Sequence, residues 1–171
     1  MPYSATIRAA PARPMIAVEA GLSDLSAMAC ALGAALPDRG GSVLAGGGML
    51  HRFGPSSLLW IGLPDAHVPD HSLFEARPAA CARIVADLSD SHAWIDLFGI
   101  DALAVLAQGT ALDMRAAAFP DSTALRTLAF GVEVILCRNA SNTFEIACRA
   151  SYSEFLVARL RLAADPAAET R

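Results

Sequence analysis

Short apolar stretches, each of strand or short-helix length, are cut off by glycine, proline or asparagine before they can lengthen. That punctuation constrains the fold more than any other feature, because it forbids a bundle of long helices and asks for many short elements. MIAV at 15–18 has strand length. In GLSDLSAMACALGAAL, Leu22, Leu25, Met28, Leu32 and Leu36 recur every three to four positions, one face of a helix, with Ser23 as N-cap and Pro37 as stop. Residues 42–45 and 49–53 flank the turn Gly46-Gly47-Gly48, and 57–63 forms a strand bounded by Pro55 and Pro64. PDAHVPDHS reads as a loop, followed by a helix over about 73–82 and a strand over 83–88. The half therefore reads β-α-β-β-α-β, the split arrangement of a ferredoxin-like lobe.

The second half follows the same rhythm without repeating residue identities. His92–Phe98 alternates as a strand, Gly99 turns the chain, Asp101 caps ALAVLAQ, and Gly109 closes that helix at C′. After a loop over 110–123 come strands at 124–130 and 132–138 and a turn over Asn139–Asn142. In the next strand Phe144, Ile146 and Cys148 face one way and Thr143, Glu145 and Ala147 the other. Ser151–Glu154 has the form of a capping box, opening a helix with Tyr152, Leu156 and Leu160 on one face. The expected fold class is α+β: two small ferredoxin-like lobes with antiparallel sheets, at about 15–88 and 89–162 of one domain. A flexible Ala/Pro/Arg arm is expected over 1–14 and a frayed tail over 163–171.

Composition narrows the function. The formal net charge is −4, which gives no basic footprint for nucleic acid. All 13 basic residues are arginine, so a P-loop lysine, a Schiff-base lysine and a lysine general base are excluded. Hydrophobic residues make up 54%, high for a chain of 171 residues, which suggests an apolar face kept for a partner. No uninterrupted apolar run reaches the ~18 residues of a membrane span, and the N-terminus has no apolar core of a secretory signal. Cys30, Cys81, Cys137 and Cys148 form no CxxC and have no histidine at zinc spacing, so reduced thiols in a cytoplasmic protein are expected.

The candidate chemistry is concentrated in VADLSDSHAWIDLFG at 85–99, where Asp87, Ser89, Asp90 and His92 offer the residue types of a nucleophilic triad. Neighbouring strand side chains point apart and no G-x-S-x-G elbow surrounds Ser89. Asp87 and Ser89 are therefore expected to bind backbone amides where the chain crosses between lobes. Gly46–Gly48 lacks the spacing and following helix of a phosphate loop. His67 and His71 are four apart, but Pro64 and Pro69 argue against a helix that would bring them to one metal. Arg138 and Arg149 flank the last hairpin, either as interface anchors or as solvated charges. No catalytic, cofactor-binding or metal-binding residue is assigned; Asp87, Ser89, Gly99 and Asp101 are assigned structural roles.

The run VADLSDSHAWIDLFGIDALAVLAQGTALDMRAAAFP resembles the middle of the gamma subunit of heterotetrameric sarcosine oxidase, through Asp87, Ser89, Gly99, Asp101, Ala102, Asp113, Phe119 and Pro120. LHRFGPSSLLWIG resembles the family's G-P-D-E-W-L-L segment at Gly54, Pro55, Leu58 and Leu59, with Ser56 and Ser57 at its acidic positions and Trp60 displaced. FEIACRASYSEFLVARL fits the family's ending, so the resemblance spans roughly 15–162. It implies the folate-binding fold of the glycine-cleavage aminomethyltransferases and a subunit that carries no cofactor and no active site. Alpha, beta and delta subunits would be its partners, with NAD and tetrahydrofolate on alpha, FAD on beta and a covalent FMN between alpha and beta. Such complexes oxidise the N-methyl group of sarcosine, yielding glycine, formaldehyde or methylene-tetrahydrofolate, and hydrogen peroxide. The alternative is a free-standing folate-binding protein of the aminomethyltransferase class. The N-x-x-G-G turn that those enzymes place before their folate-engaging acid is missing from LAFGVEVILCRN, which argues against folate binding here.

Overall fold

A computed structural model describes residues 2–63, 66–67, 69 and 84–165. It is α+β, with two five-stranded sheets in which every pair is antiparallel. The elements are β1 (Thr6–Ala10), β2 (Met15–Glu19), α1 (Leu22–Ala31), β3 (Ser42–Ala45), β4 (Gly48–Arg52), β5 (Ser57–Gly62), β6 (Ile84–Asp87), β7 (His92–Phe98), α2 (Ala102–Ala107), β8 (Thr123–Ala129), β9 (Val132–Ala140), β10 (Thr143–Arg149) and α3 (Ser153–Ala164). The helix expected over 73–82 lies outside the described residues.

The chain divides into two compact units, Ala12–Asp90 and Met1–Pro11 with Ser91–Arg171. The first carries the sheet β3-β4-β5-β2-β6 and the second the sheet β1-β7-β10-β9-β8. Read along the chain, the sequences β1-β2-α1-β3-β4-β5 and β6-β7-α2-β8-β9-β10 have one topology. In each, the second strand starts a sheet, a helix follows, and a three-stranded meander returns beside that strand. The leading strand instead edges the other sheet, β1 beside β7 and β6 beside β2. Each unit thus takes its fifth strand from the other half of the chain.

The arm expected over 1–14 is corrected here. Thr6–Ala10 is a strand in register with Trp94–Phe98, and Arg13 is buried with its Nε donating to the Gly62 carbonyl at 2.8 Å. Alanine-rich TIRAA carries a weak strand signal; backbone pairing along β7 supplies what propensity does not. At the other end, α3 runs to Ala164, which is buried together with Ala163, so these two residues of the expected tail are packed helix.

Each unit has its own core. Leu25 and Met28 of α1 pack with Ile16, Val18, Leu50, Leu58 and Trp60. Leu97, Phe144 and Ile146 pack with Val105 and Leu106 of α2, Leu156 and Leu160 of α3, and Phe119 of the loop between α2 and β8. Trp60 sits fully buried and gives its indole N–H to the Ala45 carbonyl at 2.8 Å, so its polar atom is satisfied.

The helix ends depart from expectation. α1 starts after Gly21 rather than Ser23 and ends before Pro37, at Leu32 and left-handed Gly33. Asp101 precedes α2 without a side-chain cap bond, because its carboxylate is spent elsewhere. Ser151 and Tyr152 lie in a short 3-10 turn, and the Ser153 hydroxyl donates back to the Ala150 carbonyl instead of forming a capping box. Gly109 is not left-handed. It is small because the Phe130 ring lies over it, where an added Cβ would come within 2.4 Å. The first repeat reverses the sizes at the same place: Leu32 at the helix end faces Gly46 at the hairpin tip. Both tips have two successive residues at positive φ, Gly46-Gly47 (57° and 76°) and Phe130-Gly131 (51° and 80°), as tight hairpins with this twist require.

Candidate functional site

Asp87 and Ser89 close the turn between β6 and β7. The Ser89 N–H and hydroxyl both donate to Asp87 Oδ1, at 2.9 and 2.6 Å, and the same hydroxyl accepts the Met15 N–H at 3.0 Å. Fully buried Met15 thereby has its amide satisfied at the start of β2. A serine whose proton lies on a carboxylate and whose lone pair holds a backbone amide is not poised as a nucleophile. The His92 Nδ1 lies 2.8 Å from the hydroxyl of its neighbour Ser91.

Gly99 and Asp101 anchor the segment before β1. Asp101 Oδ2 accepts the Ser4 N–H at 2.8 Å, and Gly99 at φ 128° passes so close that an added Cβ would lie 2.5 Å from the Ser4 carbonyl oxygen.

Arg138 is neither an interface anchor nor a solvated charge, as the sequence had left open. It is 3% exposed. One terminal nitrogen donates to the carbonyls of Met114 and Phe119 at 2.9 Å, and the other to Ser141 at 3.2 Å. Its Nε lies 3.0 Å from Asp121 Oδ1, an ion-pair contact, and its guanidinium covers the Phe144 ring. Arg52 does the same work in the other unit, donating to the carbonyls of Gly54, Pro37 and Pro55. The two are topological equivalents. Arg52 pairs Leu58 and its backbone carbonyl accepts the N–H of left-handed Gly40; Arg138 pairs Phe144 and its backbone carbonyl accepts the N–H of left-handed Ser122. Arg149 is exposed.

Sequence reading missed Ser42 and His51. They face each other across β3 and β4 with Ser42 Oγ 2.6 Å from His51 Nδ1, the reach of a nucleophile and its base. Their one sequence signal is parity on a hairpin whose register the glycine turn fixes. Burial, and then the positive charge of Arg13, lower the His51 pKa to about 4. A base so weak, facing a cation where a triad has a carboxylate, is a neutral buried histidine holding the hairpin. It also stacks on Phe53.

A shallow cavity of about 450 Å³ lies on the β1-β7-β10-β9 sheet, lined by Arg8, Asp96, Phe98, Asn139, Thr143 and Glu145. Arg8 donates to Asp96 at 2.8 Å and lies over the Phe98 ring. It offers polar recognition but no nucleophile. Among the described residues no group of three or more histidine, cysteine or acidic side chains is arranged for a metal. His67 is exposed, and its expected companion His71 lies outside the described residues. Cys137 and Cys148 are buried and Cys30 is exposed; burial raises the Cys148 pKa, keeping it a thiol. Cys81 lies outside the described residues. No described helix is long and apolar enough to cross a membrane.

A chain of the heterotetrameric sarcosine oxidase from Corynebacterium sp. U-96, solved with pyrrole 2-carboxylate, superposes with a TM-score of 0.83 over 95% of this chain and 84% of that one, at 24% identity. The two chains share one fold. The glycine cleavage system aminomethyltransferase T from Bartonella henselae has it too, with a TM-score of 0.66 and 20% identity over 93% of this chain. This chain spans 46% of that enzyme's length. No family model and no curated protein matches the sequence.

Proposed function

We propose that this chain is the gamma subunit of a heterotetrameric, flavin-dependent oxidase acting on sarcosine or a related N-methyl amino acid, with a role in assembly rather than chemistry. The observation that carries the reading is the likeness to the sarcosine oxidase chain, which extends over 95% of this chain and 84% of that one. The local geometry supports it: Ser89, Arg138 and His51, which bear reactive groups, are each committed to backbone or neighbouring side chains. In this reading alpha, beta and delta subunits are the partners, FAD, FMN, NAD and tetrahydrofolate reside on them, and the assembly works in the cytoplasm. Co-expression of the four subunits with and without this chain tests it. Omission should leave the remaining subunits unable to form a stable assembly. A complete, fully active three-subunit enzyme would overturn the role.

The aminomethyltransferase likeness favours one second reading, a free-standing folate-binding protein. Tetrahydrofolate titrated into the isolated chain decides it. Saturable micromolar binding supports the second reading, and its absence leaves the first.

A further inference from the structure

The sheet β1-β7-β10-β9 carries a charged row on the face turned away from its own core. Arg8 of β1, Asp96 of β7 and Glu145 of β10 are register partners, so their side chains stand side by side. Residues two apart share that face, which adds Phe98 and Thr143, while Leu97, Phe144 and Ile146 fill the core on the other. Asn139 joins them through a β-bulge: Phe144 pairs Arg138 and Thr143 pairs Ala140, so Asn139 has no residue opposite it. These six residues line the cavity of about 450 Å³, a volume in the range of small-molecule sites. Arg8 is held there from two sides. Its Nε donates to Asp96 Oδ2 at 2.8 Å, and its guanidinium lies over the Phe98 ring, 5.2 Å from the centroid. The terminal nitrogens of Arg8, Asp96 Oδ1, the Thr143 hydroxyl and the Asn139 side-chain amide have no hydrogen-bond partner among the described residues.

We infer that this cavity is a binding site for a zwitterionic α-amino acid with a polar, uncharged side chain. The ligand's carboxylate takes the free edge of the Arg8 guanidinium, which can meet it with two parallel hydrogen bonds, and its ammonium donates to Asp96 Oδ1 beside it. Two adjacent opposite charges of the protein then face two adjacent opposite charges of the ligand in reverse order. The Thr143 hydroxyl and the Asn139 amide are left for the ligand's side chain. Charge selects this class. A simple carboxylate would be repelled by Asp96 and Glu145, and a simple cation by Arg8. A sugar has no charges to match the pair, and the Phe98 face on which it would stack is covered by Arg8. Because Asp96 and Phe98 already hold the guanidinium, little ordering is left for the ligand to impose. The site goes beyond the proposed subunit role and stands without it.

The full chain is titrated in turn with L-serine, L-asparagine and L-glutamine, followed by calorimetry and by amide chemical shifts. Saturable binding of at least one of them is expected, with a Kd of about 1 mM or tighter and shifts centred on Arg8, Asp96, Phe98 and Thr143. Two analogues of the tightest binder follow, its N-acetyl derivative without the ammonium and its α-amide without the carboxylate. Each should bind about tenfold or more weakly, and D-glucose should show no saturable binding. Arg8→Gln and Asp96→Asn should weaken the parent amino acid to the same extent. The analogues read the same two contacts on the unaltered chain, so the outcome does not depend on how well a variant folds. No saturable binding of any of the three, analogues that bind as well as the parent, or shifts confined to another surface overturn the site and leave the subunit role standing.

Discussion

At the scale of single residues, Ser89, Asp101, Arg52 and Arg138 hold the chain's own backbone. Ser89→Ala removes the acceptor of a fully buried amide, so it should cost about 1–3 kcal/mol in urea denaturation, with the Met15 amide losing hydrogen-exchange protection. Unchanged stability would place that amide on another acceptor. His51 gives a pH dependence of definite sign. Its native pKa of about 4 lies below the ordinary 6.5, so the native state resists protonation. The contribution is present above pH 6.5 and is lost as pH falls from there towards 4, to a limit of about 3 kcal/mol. His51→Gln should flatten that part of the stability profile; an unaltered profile would assign it to other groups. Arg138 holds three carbonyls from a buried site, so Arg138→Ala should cost about 1–3 kcal/mol for each carbonyl left buried without a donor. Partly exposed Arg52→Ala should cost distinctly less, read from paired denaturation curves.

At the scale of elements, the strands of the meanders were legible because alternation is a local signal: Phe144, Ile146 and Cys148 are buried as their spacing required. β1 was not legible. TIRAA has no apolar stripe of its own and becomes a strand only because β7 offers a free edge, a contact 88 residues distant at Arg8 and Asp96. Caps failed for a related reason. Asp101 has the right residue type at the right place, but its carboxylate holds Ser4, a partner that only the fold supplies. The shared rhythm of the two halves was legible but the equivalence of their sites was not, since sizes are exchanged between equivalent sites, Leu32 against Gly46 in one repeat and Gly109 against Phe130 in the other. Residues 91–165 expressed alone should therefore expose the β7 edge and aggregate. Adding a peptide of residues 2–11 should restore solubility and slow amide exchange along β7; a soluble, protected fragment without the peptide would contradict the exchange of strands.

At the scale of the whole molecule, the chain combines 54% hydrophobic residues with two cores of its own. Its fold is shared with a chain of a heterotetrameric enzyme, and Ser89, His51 and Arg138 are each occupied within the chain. The central claim is that this protein works as one subunit among several. It is tested most directly by the native mass and visible spectrum of the tagged chain purified from its own host, with the co-purifying chains identified. The account predicts a large, flavin-coloured assembly that contains the other oxidase subunits and produces hydrogen peroxide from sarcosine or a related N-methyl amino acid. A colourless species of about 18 kDa, recovered from cells that make those subunits, would contradict it.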